Sequence, residues 1–250
     1  MYIIFDLDDT LLKKDKTISI NTINILKLCQ SRGHKIVINT ARPYFHTKDV
    51  ASLINADYII TNSGAEIREK ETLLVSNSIS PSLCAKIIAF LREKGVTNFS
   101  VQLKDKLLTT SQDFAQRDIY ATYDEIENTN LEALKIVYSS LDMTILEELK
   151  TTFNVNAKNY LNGPFNAITL TSKHEGNIML YKVLNDNTPY SLAFGDDYSD
   201  LEMLLKANIG VAMKNAQNVI LDKVKMKTDF SNDEDGCYHH IQKLITEGIL

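Results

Sequence analysis

Short apolar runs alternate with helical segments in the first part of the chain, and this alternation constrains the fold more than any other feature. Tyr2 to Phe5, Lys35 to Asn39 and Tyr58 to Thr61 each have the length and composition of a buried strand. Between the first two runs, Ser19 is a predicted helix cap and Gly33 a predicted helix end. Strands that alternate with helices are typical of a parallel sheet joined by crossover helices. The pattern predicts an α/β fold with a Rossmann-like parallel-sheet core.

The alternating pattern is interrupted in the middle of the chain. Near residue 80 a different order of helices and strands begins with a predicted helix start at Ser80-Pro81. Alternation resumes after Lys173 and continues to the last predicted helix. We therefore predict a catalytic core formed by residues 1–80 and 166–250, with an α+β cap domain at 81–165 inserted into it.

Polar side chains follow the predicted strands at four places. These segments are Asp6-Leu7-Asp8-Asp9-Thr10, Thr40-Ala41-Arg42, Lys173, and Gly195-Asp196-Asp197-Tyr198-Ser199-Asp200. Ligand sites in open parallel sheets lie at the carboxyl ends of the strands. We therefore expect the four segments to meet at one edge of the sheet, although they are far apart in the sequence.

Such a meeting would bring the carboxylates of Asp6, Asp8 and Asp196 close together. Like charges at short distance repel each other, so a cation is needed to keep all three ionised. Oxygen ligands favour magnesium, which also accepts a substrate phosphate oxygen. The Lys173 ammonium and the Thr40 hydroxyl suit the remaining phosphate oxygens, and phosphoryl transfer needs mainly positioning and charge neutralisation. The residues therefore predict a Mg²⁺-dependent phosphoryl-transfer site.

Two carboxylates of the first segment fit the two roles that hydrolysis of a phosphate monoester requires. Asp6 can attack as the nucleophile and form an aspartyl-phosphate. Asp8, two residues away, can protonate the leaving alcohol and later accept a proton from the attacking water. Taken singly, each of the four segments is more often a turn, a helix cap or a surface charge than a catalytic group. Their order and their shared position after strands favour the catalytic interpretation.

The four segments resemble the motifs of the haloacid dehalogenase superfamily of phosphatases. The motifs are matched, in order, by Asp6 to Leu12, by Thr40, by Lys173, and by Gly195-Asp196-Asp197 with Asp200. The chain is similar in particular to the Cof-type branch, which carries an α/β cap of the C2B type between the second and third motifs. Residues 210–216 and 232–236 resemble strings that are typical of that branch.

This resemblance implies a role for each matched residue. Asp6 is the implied nucleophile and Asp8 the implied general acid/base. The implied metal ligands are Asp6, the backbone carbonyl of Asp8, and Asp196, with Asp197 and Asp200 in support. The implied phosphate- or substrate-binding residues are Thr40, Ala41, Arg42, Lys173 and Asn215.

Three positions depart from the usual pattern of the branch. Ala41 stands where glycine is usual, and Ser199 stands where asparagine is usual. The usual Asn-Gly-Ala after the third strand is Ser63-Gly64-Ala65 in this chain. None of these changes removes a charged catalytic group, so they bear on fine positioning and rate more than on the type of reaction.

The composition narrows the class of partner. A formal net charge of -5 argues against nucleic acid, and no apolar run reaches the roughly 20 residues needed to cross a bilayer. The three cysteines, Cys29, Cys84 and Cys237, are scattered as in a protein of a reducing compartment. We expect a cytoplasmic protein whose partner is a small phosphorylated metabolite, not a nucleic acid or a membrane.

The sequence therefore predicts a Mg²⁺-dependent phosphatase that hydrolyses small phosphate monoesters, such as sugar phosphates, through a phospho-aspartate. The core residues serve the phosphoryl group that all such substrates share, so we expect the cap to select the leaving group. A binding protein that kept the fold and lost its activity is disfavoured, because every expected charged group is present. Two further alternatives remain open. One is a phosphomutase of the same superfamily, and the other is a receiver-like phospho-acceptor without enzymatic turnover, against which the second acid at Asp8 argues.

Overall fold

The computed structural model describes residues 1–110, 126, 130–160 and 163–250. The strands are numbered in chain order. They are β1 (Tyr2–Phe5), β2 (Lys35–Asn39), β3 (Tyr58–Thr61), β4 (Glu66–Glu69), β5 (Thr72–Ser76), β6 (Phe99–Gln102), β7 (Leu107–Thr109), β8 (Lys135–Ser139), β9 (Asn156–Asn159), β10 (Phe165–Thr169), β11 (Ser191–Gly195), β12 (Ile209–Ala212) and β13 (Met226–Lys227).

The helices are numbered in the same way. They are α1 (Ile20–Ser31), α2 (Lys48–Leu53), α3 (Pro81–Glu93), α4 (Met143–Phe153), α5 (Lys173–Val183), α6 (Leu201–Lys206), α7 (Asn218–Leu221) and α8 (Gly236–Thr246). Short helical turns lie at Leu7–Leu11, Tyr44–His46, Asn62–Gly64 and Tyr198–Asp200. Within the described ranges, no helix combines the length and the apolar character that crossing a membrane requires.

The chain divides into two compact units. The first contains Met1–Arg42, Thr47–Val75 and Lys173–Leu250, and the second contains Pro43–His46 and Ser76–Ser172. Residues 81–165, the predicted cap, fall inside the second unit, which extends several residues beyond them on both sides. The role of this unit as a substrate-selecting cap stays a prediction.

The first unit is built on a mixed sheet with the strand order β13-β12-β11-β1-β2-β3-β4-β5. The strands from β13 to β3 pair in parallel, and β4 joins β3 in the antiparallel sense. Phe5 of β1 is in register with Ile38 of β2 and with Phe194 of β11. The residues that follow these three strands therefore leave the sheet at the same edge, and the predicted Rossmann-like α/β core is confirmed.

The central strands are mostly apolar, as is typical of a parallel sheet that is covered on both faces. Every residue of β1 is buried, and the rings of Phe5 and Phe194 stack with their centroids 5.2 Å apart. Helix α1 begins as predicted, because the Ser19 hydroxyl accepts a hydrogen bond from the backbone N–H of Thr22 at 3.1 Å. Burial of this kind holds the strand ends, and the side chains after them, in fixed positions.

The second unit has an antiparallel sheet with the strand order β7-β6-β8-β10-β9. Helices α3 and α4 contribute apolar side chains, including Ile87 and Leu149, to a core shared with this sheet. Both helices begin at a side-chain cap, Ser80 for α3 and Asp142 for α4. The unit therefore has a hydrophobic core of its own.

Candidate functional site

The turn after β1 places the first two candidate carboxylates. The backbone N–H of Asp6 continues the strand pairing by donating to the carbonyl of Phe194 at 3.1 Å. The chain then turns sharply, with Asp9 in the left-handed region at φ +57°, and the N–H of Leu12 closes the turn on the Leu7 carbonyl at 2.8 Å. This geometry points Asp6 and Asp8 from one short segment in different directions: Asp6 is buried, and Asp8 is partly exposed.

Lys173, the first residue of α5, lies between two carboxylates of the site. Its Nζ donates to Oδ1 of Asp6 at 2.6 Å and to Oδ1 of Asp200 at 2.6 Å. Only 2% of the side chain is exposed. Burial by itself would lower the pKa of Lys173, but the two carboxylates outweigh burial and raise that pKa above its usual value. Lys173 is therefore a fixed cation at the base of the site.

Asp200 is fully buried, and the backbone around it holds its carboxylate in place. Its Oδ2 accepts from the N–H groups of Asp196 and Asp197, both at 3.2 Å. Gly195 makes this approach possible, because a Cβ at that position would lie 2.6 Å from the Cβ of Asp200. The first position of the Gly-Asp-Asp segment therefore requires glycine for steric reasons.

Asp6, Asp196 and Asp200 form a carboxylate cluster, in which each offers an oxygen within 4.8 Å of the others. The Thr10 hydroxyl donates to Oδ1 of Asp196 at 2.7 Å. Burial raises the pKa of Asp196 above its usual value, and the neighbouring charges of Asp6 and Asp200 raise it further. Burial also raises the pKa of Asp6, against the opposing charge of Lys173.

The donor set of this cluster fits a hard divalent cation. Among the residues that the structure describes, the cluster sets three buried carboxylates against the ammonium of Lys173, so a fully ionised set would carry an excess of negative charge. Carboxylate oxygens are the ligands that Mg²⁺ prefers, and Mg²⁺ binding would lower the raised pKa values of Asp6 and Asp196. The residues present therefore suit Mg²⁺, with Asp6 and Asp196 as the side chains that would hold it.

The carboxylate of Asp8 lies apart from this cluster. Arg42 binds it with two hydrogen bonds, from Nε to Oδ2 at 2.7 Å and from a terminal nitrogen to Oδ1 at 2.6 Å, and Lys16 Nζ donates to Oδ1 at 2.7 Å. Burial opposes ionisation, but the hydrogen bonds from Arg42 and Lys16 lower the pKa of Asp8 to about 2. The arrangement differs from the expected meeting of Asp6, Asp8 and Asp196, since Asp200 supplies the third carboxylate.

The segment after β2 is hydrogen-bonded to the end of β3 and to the turn that follows it. Thr40 is buried. Its backbone N–H donates to the Ile60 carbonyl at 2.9 Å, and its backbone carbonyl accepts the N–H of Ser63 at 3.0 Å. The Thr40 hydroxyl oxygen accepts the N–H of Arg42 at 3.2 Å, which leaves its O–H as a donor for a ligand. Ala41 lies between them and is partly exposed.

Two predicted site residues support the site's loops. Asn215 donates from Nδ2 to the Asp9 carbonyl at 2.7 Å and accepts the N–H of Asn232 at 3.0 Å. Asp197 caps the short helical turn Tyr198–Asp200 and accepts the Ser199 N–H at 2.6 Å. The nitrogen and the oxygen of the Asn215 side-chain amide therefore both bind backbone groups. Its predicted contact with phosphate, and the predicted support of the metal by Asp197, stay predictions.

Sequence reasoning missed residues that hold the named groups in place. Thr10 was visible in the first segment, but its contact with Asp196 depends on a partner 186 positions away. Lys16 reaches Asp8 from a turn with a left-handed φ of +66°, which no local pattern predicts. Asn39 is the last residue of the apolar strand β2, where a polar residue is common and gives no distinct signal.

The sequence profile of the haloacid dehalogenase-like hydrolases matches residues 3–241. A curated relative is a 5-amino-6-(5-phospho-D-ribitylamino)uracil phosphatase of Bacillus subtilis. It is 27% identical over 242 residues, which cover 94% of this chain and 91% of the relative. The match therefore extends over both units.

Solved structures have the same fold. A haloacid dehalogenase-like hydrolase from Bacteroides thetaiotaomicron superposes with a TM-score of 0.82 at 21% identity, covering 97% of this chain and 98% of that chain. A sugar phosphatase of subclass IIB gives a TM-score of 0.80 at 21% identity, covering 100% of this chain and 99% of that chain. At this level of identity the structures establish the architecture alone.

Proposed function

The chain belongs to the haloacid dehalogenase-like hydrolases, and we propose that it is a Mg²⁺-dependent phosphatase of small phosphate monoesters that acts through a phospho-aspartate on Asp6. One observation carries the proposal. Asp6 is a buried carboxylate at a strand end, held by Lys173 and adjacent to Asp196 and Asp200. A nucleophile, a fixed cation and a set of hard oxygen ligands therefore share one site, which is what phosphoryl transfer requires.

In the first step the side chains of this chain bind and orient the phosphoryl group. Lys173 and the Thr40 hydroxyl donate to its non-bridging oxygens, and a carboxylate oxygen of Asp6 attacks phosphorus. The bond from phosphorus to the ester oxygen breaks, and Asp8 in its protonated form gives its proton to the leaving alcohol. Mg²⁺, when bound, neutralises the charge of the carboxylates and of the phosphoryl oxygens.

In the second step water attacks the phosphorus of the phospho-aspartate. Asp8, now a carboxylate, accepts the proton of that water, and the bond between phosphorus and the Asp6 oxygen breaks. Inorganic phosphate leaves, and both carboxyl groups return to their starting states. The pairing of Asp8 with Arg42 and Lys16 corresponds to the ionised form of Asp8, which this second step uses. To hold the proton that the first step requires, Asp8 must leave these partners, because their hydrogen bonds lower its pKa.

The proposed substrates are phosphate monoesters of small polyhydroxylated metabolites. The Bacillus subtilis relative is named for 5-amino-6-(5-phospho-D-ribitylamino)uracil, in which the phosphate is carried on a sugar-alcohol chain. The sequence similarity covers 94% of this chain and 91% of the relative, which supports a substrate of the same chemical class for this chain. Sugar phosphates and ribityl phosphates are therefore the first compounds to test.

A turnover screen tests the function directly. The purified protein is incubated with sugar phosphates, ribityl phosphates and nucleotides, with Mg²⁺ or with EDTA, and inorganic phosphate is measured over time. We expect steady release of many equivalents per enzyme and a loss of more than about 100-fold with EDTA. Release of a single equivalent would indicate a receiver-like acceptor, and formation of an isomeric sugar phosphate would indicate a mutase.

The acid role of Asp8 predicts a dependence on the leaving group. In Asp8→Asn the rate of the first step should fall about 10²- to 10⁴-fold with an alkyl phosphate, because the alcohol must leave protonated. With p-nitrophenyl phosphate the fall should be much smaller, because that leaving group departs as a stable anion. The measurement is a single-turnover experiment with each substrate.

The matched control for Asp8 is Asp9→Asn. Asp9 is the next carboxylate in the same turn and is exposed, and asparagine tolerates its left-handed backbone. This control should keep both rates near those of the parent protein. Equal losses for the alkyl and aryl substrates in Asp8→Asn would be inconsistent with proton donation by Asp8.

A further inference from the structure

Asn39 is a buried amide directly behind the catalytic lysine. It is the last residue of β2 and is 0% exposed. Its Nδ2 makes two hydrogen bonds, one to the backbone carbonyl of Lys173 at 2.8 Å and one to Oδ1 of Asn177 at 2.8 Å. Both hydrogen bonds of this amide nitrogen therefore connect the end of β2 to the first five residues of α5.

The connection has consequences for the direction of the Lys173 side chain. The ammonium of Lys173 must reach between Asp6 and Asp200, at 2.6 Å from each, from a backbone position at the start of a helix. A hydrogen bond constrains direction as well as distance, so it restrains the start of the helix against the strand end. The Asn39 amide donates to the backbone carbonyl of Lys173 itself, so it restrains the backbone position from which the long side chain extends.

Close packing also restrains α5, at a different point along the helix. Gly176 lies against the loop after β3, where a Cβ would come within 2.8 Å of the Gly64 Cα. That contact restrains the distance between helix and loop but makes no directional bond to Lys173. Asn39 adds the directional bond, and the same residue precedes Thr40, the second phosphate-binding candidate.

We propose that Asn39 is a positioning residue for the proposed phosphatase reaction, holding the backbone of Lys173 so that its ammonium meets Asp6 and the phosphoryl group. Asn177 has a different role. Its Oδ1 accepts the second hydrogen bond from Nδ2 of Asn39, and its side chain makes no bond to the Lys173 carbonyl. The inference rests on the proposed function for its catalytic consequence, but the placement of Lys173 can be measured without turnover.

The chain offers a matched pair of variants. Asn39→Leu removes both hydrogen bonds, including the bond to Lys173, whereas Asn177→Leu removes only the bond between the two amides. We expect Asn39→Leu to lower kcat about 10-fold or more with KM changed less than about twofold, because a small misplacement of a catalytic group is costly. Asn177→Leu should keep kcat within about twofold of the parent value, although both variants lose a buried hydrogen bond and melt earlier.

The double variant Asn39→Leu/Asn177→Leu separates stability from positioning. Replacing both buried partners by apolar groups can be nearly neutral for stability. We therefore expect its melting temperature to lie above that of Asn39→Leu, while kcat stays as low as in Asn39→Leu. Recovery of kcat together with the melting temperature would overturn the inference, because a purely structural amide pair behaves in that way.

Chemical labelling gives a readout that does not depend on catalysis. Lys173 is acetylated with acetic anhydride in the native protein, and its labelling relative to the exposed Lys206 is measured by peptide mass spectrometry. Labelling of Lys173 should rise severalfold in Asn39→Leu and stay near the parent level in Asn177→Leu. Equal labelling of Lys173 in the two variants would overturn the positioning role, even if the parent protein showed no turnover. A failure of turnover alone would count only against the proposed function.

Discussion

Asp6→Asn is expected to abolish turnover. The amide keeps the shape of the side chain but removes the anionic oxygen that attacks phosphorus. Loss of a catalytic nucleophile leaves only positioning and electrostatic effects, so kcat should fall by at least about 10³-fold with every substrate. Unlike the Asp8 variant, Asp6→Asn should show no rescue by an activated leaving group, because no acceptor for the phosphoryl group remains.

The phospho-aspartate itself gives the second measurement for Asp6. Acid quench of the parent protein during turnover should trap phosphate on the peptide that contains residue 6, and hydroxylamine should release it as expected for an acyl phosphate. Asp6→Asn should trap none, while Asp9→Asn should trap the parent amount. A purified variant with asparagine verified at position 6 that turns over at the parent rate would refute the mechanism.

The fold of the first unit was predictable because its central strands are buried on both faces. Such strands are continuous apolar runs, as Tyr2–Phe5 and Tyr58–Thr61 are, and their observed bounds match the predicted ones. The hairpin of β4 and β5 was not predicted, since Glu66 and Arg68 make β4 look like a loop. Both charged groups are buried in the structure, where Arg68 Nε donates to Glu66 Oε1 at 2.6 Å. That pairing, which a list of residue types does not show, is what allows the strand.

The site was predictable to the extent that it depends on strand order. Asp6 and Asp196 come together because the neighbouring strands β1 and β11 end at one edge of the sheet. Lys173 reaches them differently, because it begins α5 and the strand before it, β10, belongs to the sheet of the second unit. The direction of each side chain depends on finer geometry. Asp8 turns away because its backbone lies in a tight turn and because Arg42 and Lys16 bind its carboxylate. Asn39 was missed because the end of an apolar strand is an ordinary place for a polar residue.

Lys173→Met is expected to damage stability and activity together. Methionine has a similar length but no charge, so the buried carboxylates of Asp6 and Asp200 lose the ammonium that both contact. Breaking a buried ion pair by removing one partner costs about 3–5 kcal/mol. For a chain of this size the melting temperature should fall by on the order of 10 °C, measured in EDTA so that no metal ion replaces the ammonium. The exposed Lys206→Met is the matched control and should change neither quantity.

A second substitution separates the two consequences of losing Lys173. In Lys173→Met/Asp200→Asn one of the two uncompensated carboxylates becomes neutral, while the amide oxygen can still accept the N–H groups of Asp196 and Asp197. The double variant should regain a large part of the lost melting temperature, because the repulsion between buried charges falls. Turnover should stay at least about 100-fold below the parent value, because neither methionine nor asparagine supplies the cation that stabilises the transferring phosphoryl group. If activity returned with stability, Lys173 would act only by neutralising Asp200, and the phosphate contact assigned to its ammonium would be wrong.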